Sequence, residues 1–459
     1  MTSPSPASRV VRVRLALAAL GLAAVVVPGG AFPAAAKPPK TTSLVSVNAA
    51  GDSSGDRTSG FSRSPGISAD GRYVVFTSRA SDLVANDANG LSDVFVRDMK
   101  TGTTTLVSVN AAGTGGGNGF SSDPSISADG RRVAFVSAAS DLVAGDTNGK
   151  YDVFVRDLKK GTTTLVSVNK AGTGGGDGDA LHTSISGNGR YVAFSSVASD
   201  LVANDTNGKY DVFVRDLKKG TTTLVSVNAA GTGTADGNSI HPSISANGRL
   251  VAFESNAEDL VGNDSNGFAD VFVRDLVKGV TTLVSANGGG TASGDETSSA
   301  PAISGNGRFV AFASEATDLV ANDVVDTNGV NDIFVRDLKK KSTVRVSVNA
   351  SNNAAGSAES DYCSISANGR FVAFESYASD LVAGDANGTF DAFVRDLKTK
   401  TTKLVSVNSA GTGPGNFASG DAAAPAISAN SKFVAFSSLA SDLTENDFNS
   451  AEDVFRRAR

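Results

Sequence analysis

Asp146-Thr147-Asn148-Gly149-Lys150-Tyr151-Asp152-Val153-Phe154-Val155-Arg156-Asp157 is one copy of a segment that returns seven times along the chain. Its leading aspartate stands at Asp87, Asp146, Asp205, Asp264, Asp326, Asp385 and Asp447, so the copies are spaced by 59, 59, 59, 62, 59 and 62 residues. A period this regular marks a repeat architecture, in which each unit is one supersecondary element that buries its faces against its neighbours. Any fold for this chain must therefore be assembled from seven near-equal pieces.

One unit can be read locally. Pro124-Ser125-Ile126-Ser127 is a short extended run, and Ala128-Asp129-Gly130 is a tight-turn signal. Residues 131–137 (RRVAFVS) are β-branched and aromatic enough for a strand, and residues 138–151 form a long polar connection. Residues 152–158 (DVFVRDL) give a third strand, Lys159-Lys160-Gly161 a turn, and residues 162–169 (TTTLVSVN) a fourth. The glycine-rich stretch 170–180 leads into the next unit. Four short strands in each of seven units predict an all-β, seven-bladed propeller. Phe135 and Phe154 recur in every unit and account for more than half of the 24 phenylalanines. Middle strands sandwiched between neighbouring blades need such large apolar side chains on both faces. No segment carries a sustained helical period.

The ends predict how the ring closes. Residues 41–48 (TTSLVSVN) read as a lone fourth strand ahead of the first unit, and the chain stops after a third strand at 453–456. The N-terminal strand is expected to complete the last blade and remove the open edge. The propeller then covers residues 37–459. Ahead of it, Arg9, Arg12 and Arg14 precede an apolar run from Leu15 to Val27 and the small residues Ala34-Ala35-Ala36. This is the order of a secretory signal peptide, residues 1–36, cleaved after Ala36. The run of 13 residues is shorter than the ~20 that span a bilayer. A secreted or cell-envelope protein without stable membrane insertion is expected, as a monomer.

The formal net charge of −6 becomes more negative once three leader arginines are removed. Such a surface repels phosphates, so nucleic acid is not an expected partner. Cys363 is the single cysteine, so no intrachain disulfide forms and stability must come from burial, closure or metal.

Within a propeller blade, connections alternate between the two faces. First-to-second and third-to-fourth connections are short here, while second-to-third and blade-to-blade connections are long. All the long loops share one face, and long loops are where function concentrates. In each second-to-third loop the pattern D-x-N-G-x-x-D places side-chain oxygens at positions 1, 3 and 7. These positions are Asp87, Asn89 and Asp93; Asp146, Asn148 and Asp152; Asp205, Asn207 and Asp211; Asp264, Asn266 and Asp270; Asp326, Asn328 and Asp332; Asp385, Asn387 and Asp391. An upstream aspartate recurs five residues earlier, as at Asp82, Asp141, Asp200 and Asp259. The pattern resembles the start of an oxygen-ligated calcium loop, in which a glycine lets the backbone turn around the ion. The same residues also form Asx turns, and Asn-Gly is a favoured turn pair, so both readings stand. The distant glutamate of an EF-hand is lacking. The fifth copy carries an insertion at Asp323-Val324-Val325-Asp326, and the seventh has Ser450 in place of glycine.

The two histidines, His182 and His241, occupy one register at the start of the first strands of consecutive blades. Ser64, Asp123, Ala300, Tyr362 and Ala424 stand there in the other units. First strands line the channel, so Asp123, His182 and His241 are expected side by side at its mouth, as a transition-metal or acid–base trio or as a solvated polar rim. Gly51-Asp52-Ser53-Ser54-Gly55 matches G-x-S-x-G literally, but no helix follows, as a nucleophile elbow requires. The glycine-rich run 113–119 also lacks the following helix of a phosphate cradle. The Arg-Asp pairs that end third strands, such as Arg97-Asp98 and Arg156-Asp157, read as structural contacts.

Residues 124–137 (PSISADGRRVAFVS) and their counterparts resemble the TolB-type, WD40-like propeller repeat, which couples a Ser-x-Asp-Gly turn to an apolar strand. The resemblance covers residues 41–456. Asp-Gly stands in the first two units, Asn-Gly in the next four and Asn430-Ser431 in the seventh. It implies an interaction scaffold, although related propellers carry catalysis in a separate domain or at a channel metal. The expected function is a secreted, non-catalytic propeller that binds a protein or glycan through its long-loop face, with calcium as a stabilising ion. The alternative is an extracellular polysaccharide lyase or hydrolase acting through Asp123, His182 and His241.

Overall fold

The computed structural model describes residues 41–61, 65–321, 328–420 and 424–459. The leader at 1–36 lies outside them, as do Ser64 and Asp326. The described residues form seven four-stranded sheets and no helix. In blade two the strands are Ser121–Ile126, Arg132–Ser137, Asp152–Asp157 and Thr162–Leu165, paired antiparallel in chain order.

The alternation of the second strand explains the ring. Val133 and Phe135 pack with Val75, Val94 and Val96 of blade one, while Ala134 and Val136 pack with Val192, Phe194 and Phe213 of blade three. Each blade thus offers small residues on one face and phenylalanines on the other. Phe135 pairs with Phe154 across the sheet, with ring centroids 5.8 Å apart. Both rings are fully buried, a burial worth about 2–3 kcal/mol each.

Closure occurs as expected. Thr42–Leu44 pairs antiparallel with Asp453–Ala458, and the last sheet runs from this N-terminal strand inward to Ala426–Ile427. The fourth strands are shorter than residue type predicts, ending at Leu44 or Leu165 rather than at Asn48 or Asn169. The cause is the serine two residues on. Ser167 Oγ donates to Asp152 Oδ1 at 2.5 Å and accepts from the Val153 amide at 2.9 Å, so a side chain takes over the ladder and the backbone turns away.

The Arg-Asp dipeptides are structural. Arg156 donates to Thr163 Oγ1, while Asp157 accepts a two-point contact from Arg131 at 2.9 and 2.7 Å. Five other blades repeat this clamp, from Arg72–Asp98 to Arg370–Asp396.

Neighbouring first-to-second turns are tied together around the channel. The Ala128 amide donates to Gly187 O, that of Asn188 to Ala246 O and that of Ala246 to Gly305 O. Backbone hydrogen bonds thus draw this face in around the channel. The turn glycine sets the fit: Gly248 has φ of +77° and lies under the Tyr191 ring of the preceding blade, where a Cβ would collide with the ring. Gly248→Ala is expected to cost about 1–3 kcal/mol through strain and overpacking. A thermal melt checks this, and an unchanged midpoint would count against the interlock.

Candidate functional site

First strands carry a bulge close to the long-loop face. In blade three the register shifts between Leu181 and Ser184, so His182 and Thr183 together oppose Phe194. A bulge bends the strand and re-aims a side chain. The bulged residues adopt left-handed backbone angles: Asp123 φ 49°, His182 52°, His241 53°, Ala300 49° and Tyr362 35°. For non-glycine residues this conformation costs on the order of 1–3 kcal/mol, held in place by the sheet on either side. The cost is met in blades two to six, whatever side chain is carried.

Asp123, His182, Ala300, Tyr362 and Ala424 line a channel cavity of ≈ 140 Å³ together with Pro124, Pro242 and Pro301. The His182 and His241 rings meet edge to face with centroids 4.4 Å apart. His182 Nδ1 lies 2.9 Å from Ser195 Oγ. His241 Nδ1 lies 2.9 Å from Glu254 Oε2, which also accepts the Ala300 amide at 3.2 Å. The structure thus brings the two histidines together, and Asp123 shares the cavity with His182. Among the described residues no three His, Cys, Asp or Glu side chains are grouped as a metal site.

Glu254 was not singled out by the sequence reading, because it lies in Leu250–Ser255, a strand that reads as core. It stands 13 residues after His241, as Ser195 does after His182. That fixed offset is the signal that would have found it. The same place holds Thr77, Val136, Ala313, Glu375 and Ser437 in the other blades. In blade six Asp361 pairs across the strands with Glu375, and burial together with the nearby Glu359 carboxylate raises its pKa to about 6. Among the described residues, six exposed aromatic rings also lie in connections on the long-loop side: Phe120, Tyr151, Phe268, Tyr377, Phe417 and Phe448.

The acidic loops are held by their asparagines. Asn148 Oδ1 accepts the Lys150 amide, forming an Asx turn, while its Nδ2 donates to Asp152 Oδ2 at 2.7 Å and to Gly176 O of the following connection at 2.9 Å. Asn89, Asn207, Asn266, Asn328 and Asn387 make the same contacts. The upstream aspartates cap the incoming loops, as Asp141 Oδ1 does for the Asn118 amide. The first and last aspartates of each pattern are different. Asp93 and Asp152 are fully buried, and burial pushes both up to about 6; it pushes Asp211, Asp270 and Asp391 up to about 7. Asp87, Asp146, Asp264 and Asp385 are raised in the same direction by the same cause, and Asp205 to about 6. Asp205 Oδ2 and Asp264 Oδ1 are buried without a hydrogen-bond partner.

No protein-family model and no curated protein matches the chain. Among solved structures it is similar to an oligogalacturonate lyase in complex with manganese, at 12% identity over 92% of this chain and 96% of that one, with a TM-score of 0.53. A prolyl endopeptidase structure aligns at 12% identity over 91% of this chain and 50% of that one, with a TM-score of 0.52. TolB from Acinetobacter baumannii aligns at 14% identity over 85% of this chain and 81% of that one, with a TM-score of 0.41. The two alignments above a TM-score of 0.5 show the fold alone, a β-propeller. At these identities the likeness is one of fold, and the same fold serves unrelated activities.

Proposed function

We propose that the chain is a secreted, non-catalytic binding protein that takes a protein or glycan ligand on its long-loop face, around the channel mouth. The supporting observation is where the blades differ. The core phenylalanines, the Arg–Asp clamps and the Asx loops recur almost unchanged, whereas the bulge residue and its partner on the second strand change from blade to blade. The His182–Ser195 contact, the His241–Glu254 contact, and the Tyr362 and Glu375 that stand at the equivalent places in blade six give three chemically distinct sectors. Packing alone gives no reason for such differences at equivalent positions. Exposed rings on the long-loop side suit sugar faces or apolar side chains, since aromatic groups supply large contact area. Calcium held by the buried loop aspartates is part of this reading, as a structural ion.

A glycan and cell-wall binding screen with the mature chain tests it. His241→Ala and Phe417→Ala are expected to weaken capture at least tenfold while the melting temperature moves little, and Val277→Ser on the opposite side is expected to leave capture unchanged. Equal losses in all three variants would sink the assignment of the face.

A second reading rests on the His241–Glu254 contact, which is the arrangement of a histidine oriented by a carboxylate for acid–base work. It makes the chain a polysaccharide-active enzyme. Depolymerisation of a soluble acidic polysaccharide by the wild type, lost in Glu254→Gln, would establish it over the binding role.

A further inference from the structure

We propose that the closing blade carries a calcium site built on Asp447 and Asp453, and that the bound ion ties the two ends of the chain together. This deepens the calcium part of the reading above and stands apart from the ligand at the mouth. Asp453 is fully buried at the start of the last strand. Its Oδ1 accepts the Ser46 hydroxyl at 2.5 Å from the N-terminal segment, and its Oδ2 is buried without a hydrogen-bond partner. Asp447 is 6% exposed, and its Oδ1 is likewise buried and unpartnered. The two carboxyl groups lie within hydrogen-bonding reach of each other. Two touching carboxylates cannot both stay ionised unless a cation lies between them; in its absence they share a proton. Among the described residues, no Lys or Arg forms an ion pair with either.

Blade five shows what this position requires. Asp332, the counterpart of Asp453, has Arg345 Nη1 at 3.2 Å from its Oδ2, in a pair exposed by only 4% and 0%. At the place of Arg345 the other blades carry leucine: Leu44, Leu106, Leu165, Leu224, Leu283 and Leu404. Blade five is also the copy whose loop is lengthened ahead of Asp326. In blade five the chain supplies its own cation to this oxygen, and in blades one to four and six the loop asparagine Nδ2 donates to it. In blade seven Asn449 Nδ2 donates to Gly55 O instead, and an external cation fits beside Asp453 Oδ2. Hard carboxylate and hydroxyl oxygens select calcium over softer metals, and two carboxylates without a third acid set a weak site, in the ~10⁻⁴–10⁻³ M range of extracellular modules.

The site straddles the ring closure. Besides Ser46, the segment around Ser54 reaches the Asp447 loop: the Ser54 amide donates to Asn446 O at 3.2 Å, and Asn449 Nδ2 donates to Gly55 O at 2.7 Å. An ion between Asp447 and Asp453 therefore stabilises the one blade made from both termini.

Hydrogen exchange of the full mature chain, after chelation, measures this directly. Calcium chloride at several millimolar is expected to slow exchange of the Val45 and Val454 amides at least tenfold relative to chelator, with potassium chloride of equal ionic strength without effect. Asp447→Asn is expected to abolish that protection, and Leu44→Arg is expected to confer it without calcium, as Arg345 does in blade five. The wild-type comparison does not depend on either variant folding. Equal exchange in calcium and chelator would overturn the proposal. So would a calcium-raised melt in which Val45 gains no more protection than the amides of other fourth strands, because that result places the ion elsewhere.

Discussion

Deletion of residues 37–48 is expected to abolish the cooperative melt, or to lower its midpoint by more than roughly 15 °C. The deleted segment contains the strand Thr42–Leu44 and three side chains of the closing blade that are almost wholly buried, Leu44, Val45 and Val47. Burial of each contributes about 1.5–3 kcal/mol, so their joint loss is of the order of the whole stability of a typical domain, about 5–15 kcal/mol. Hydrogen bonds are lost as well. The Val45 amide donates to Val454 O at 2.7 Å, and Ser46 is the partner of both Asp453 Oδ1 and the Val454 amide. Removing them leaves a buried carboxylate and an open strand edge, which is also a template for aggregation. Differential scanning calorimetry checks the outcome. A deletion variant that melts within a few degrees of the parent would mean that the ring does not depend on its N-terminal strand.

The blade number, the strand count and the closing strand were legible because each rests on a pattern that repeats: two phenylalanines, a turn and an acidic loop at a fixed period. The histidine register was legible for the same reason, since His182 and His241 stood at equal offsets from a common motif. The rest depended on three-dimensional neighbours. Nothing in the local sequence of Leu250–Ser255 says that Glu254 faces His241, because across a bulge the pairing runs out of step with simple alternation. Nor could the loop pattern alone say which of its oxygens the fold itself uses. Asn148 and Asp152 look alike as potential ligands, yet the asparagine makes an Asx turn and donates two hydrogen bonds, while the buried aspartate accepts from Ser167 and Asn148 and is raised in pKa. The fourth strands were read too long because the serine that ends them is an ordinary strand residue until its hydroxyl finds Asp152.

Two sets of aspartates with opposite shifts give the protein a displaced pH optimum. In the first set the Arg131, Arg190 and Arg249 guanidinium groups hold Asp157, Asp216 and Asp275 down to about 2. A depressed folded-state pKa contributes stability that is complete above the unfolded value of ~3.9 and is lost as pH falls through ~2. The clamp arginines are about one-third exposed or more, so solvent screening keeps this acid limb shallow. In the second set burial raises Asp93 and Asp152 to about 6, and Asp211, Asp270 and Asp391 to about 7. Here the sign reverses: the protonated form is favoured by folding, so stability is complete below ~3.9 and is lost as pH rises through ~6–7. A shift from an ordinary 3.8 to about 6 corresponds to on the order of 3 kcal/mol for one such group at full ionisation. Five of them make the neutral-to-alkaline limb the steeper one. In chelator the melting temperature is therefore expected to peak near pH ~4 and to fall by on the order of 10 °C by pH 8. Asp211→Asn should flatten the fall on the alkaline side, and Asp157→Asn should alter only the acid limb. Melts across this range decide the matter: a chelated protein as stable at pH 8 as at pH 5 would show that the loop carboxylates find compensation within the fold itself.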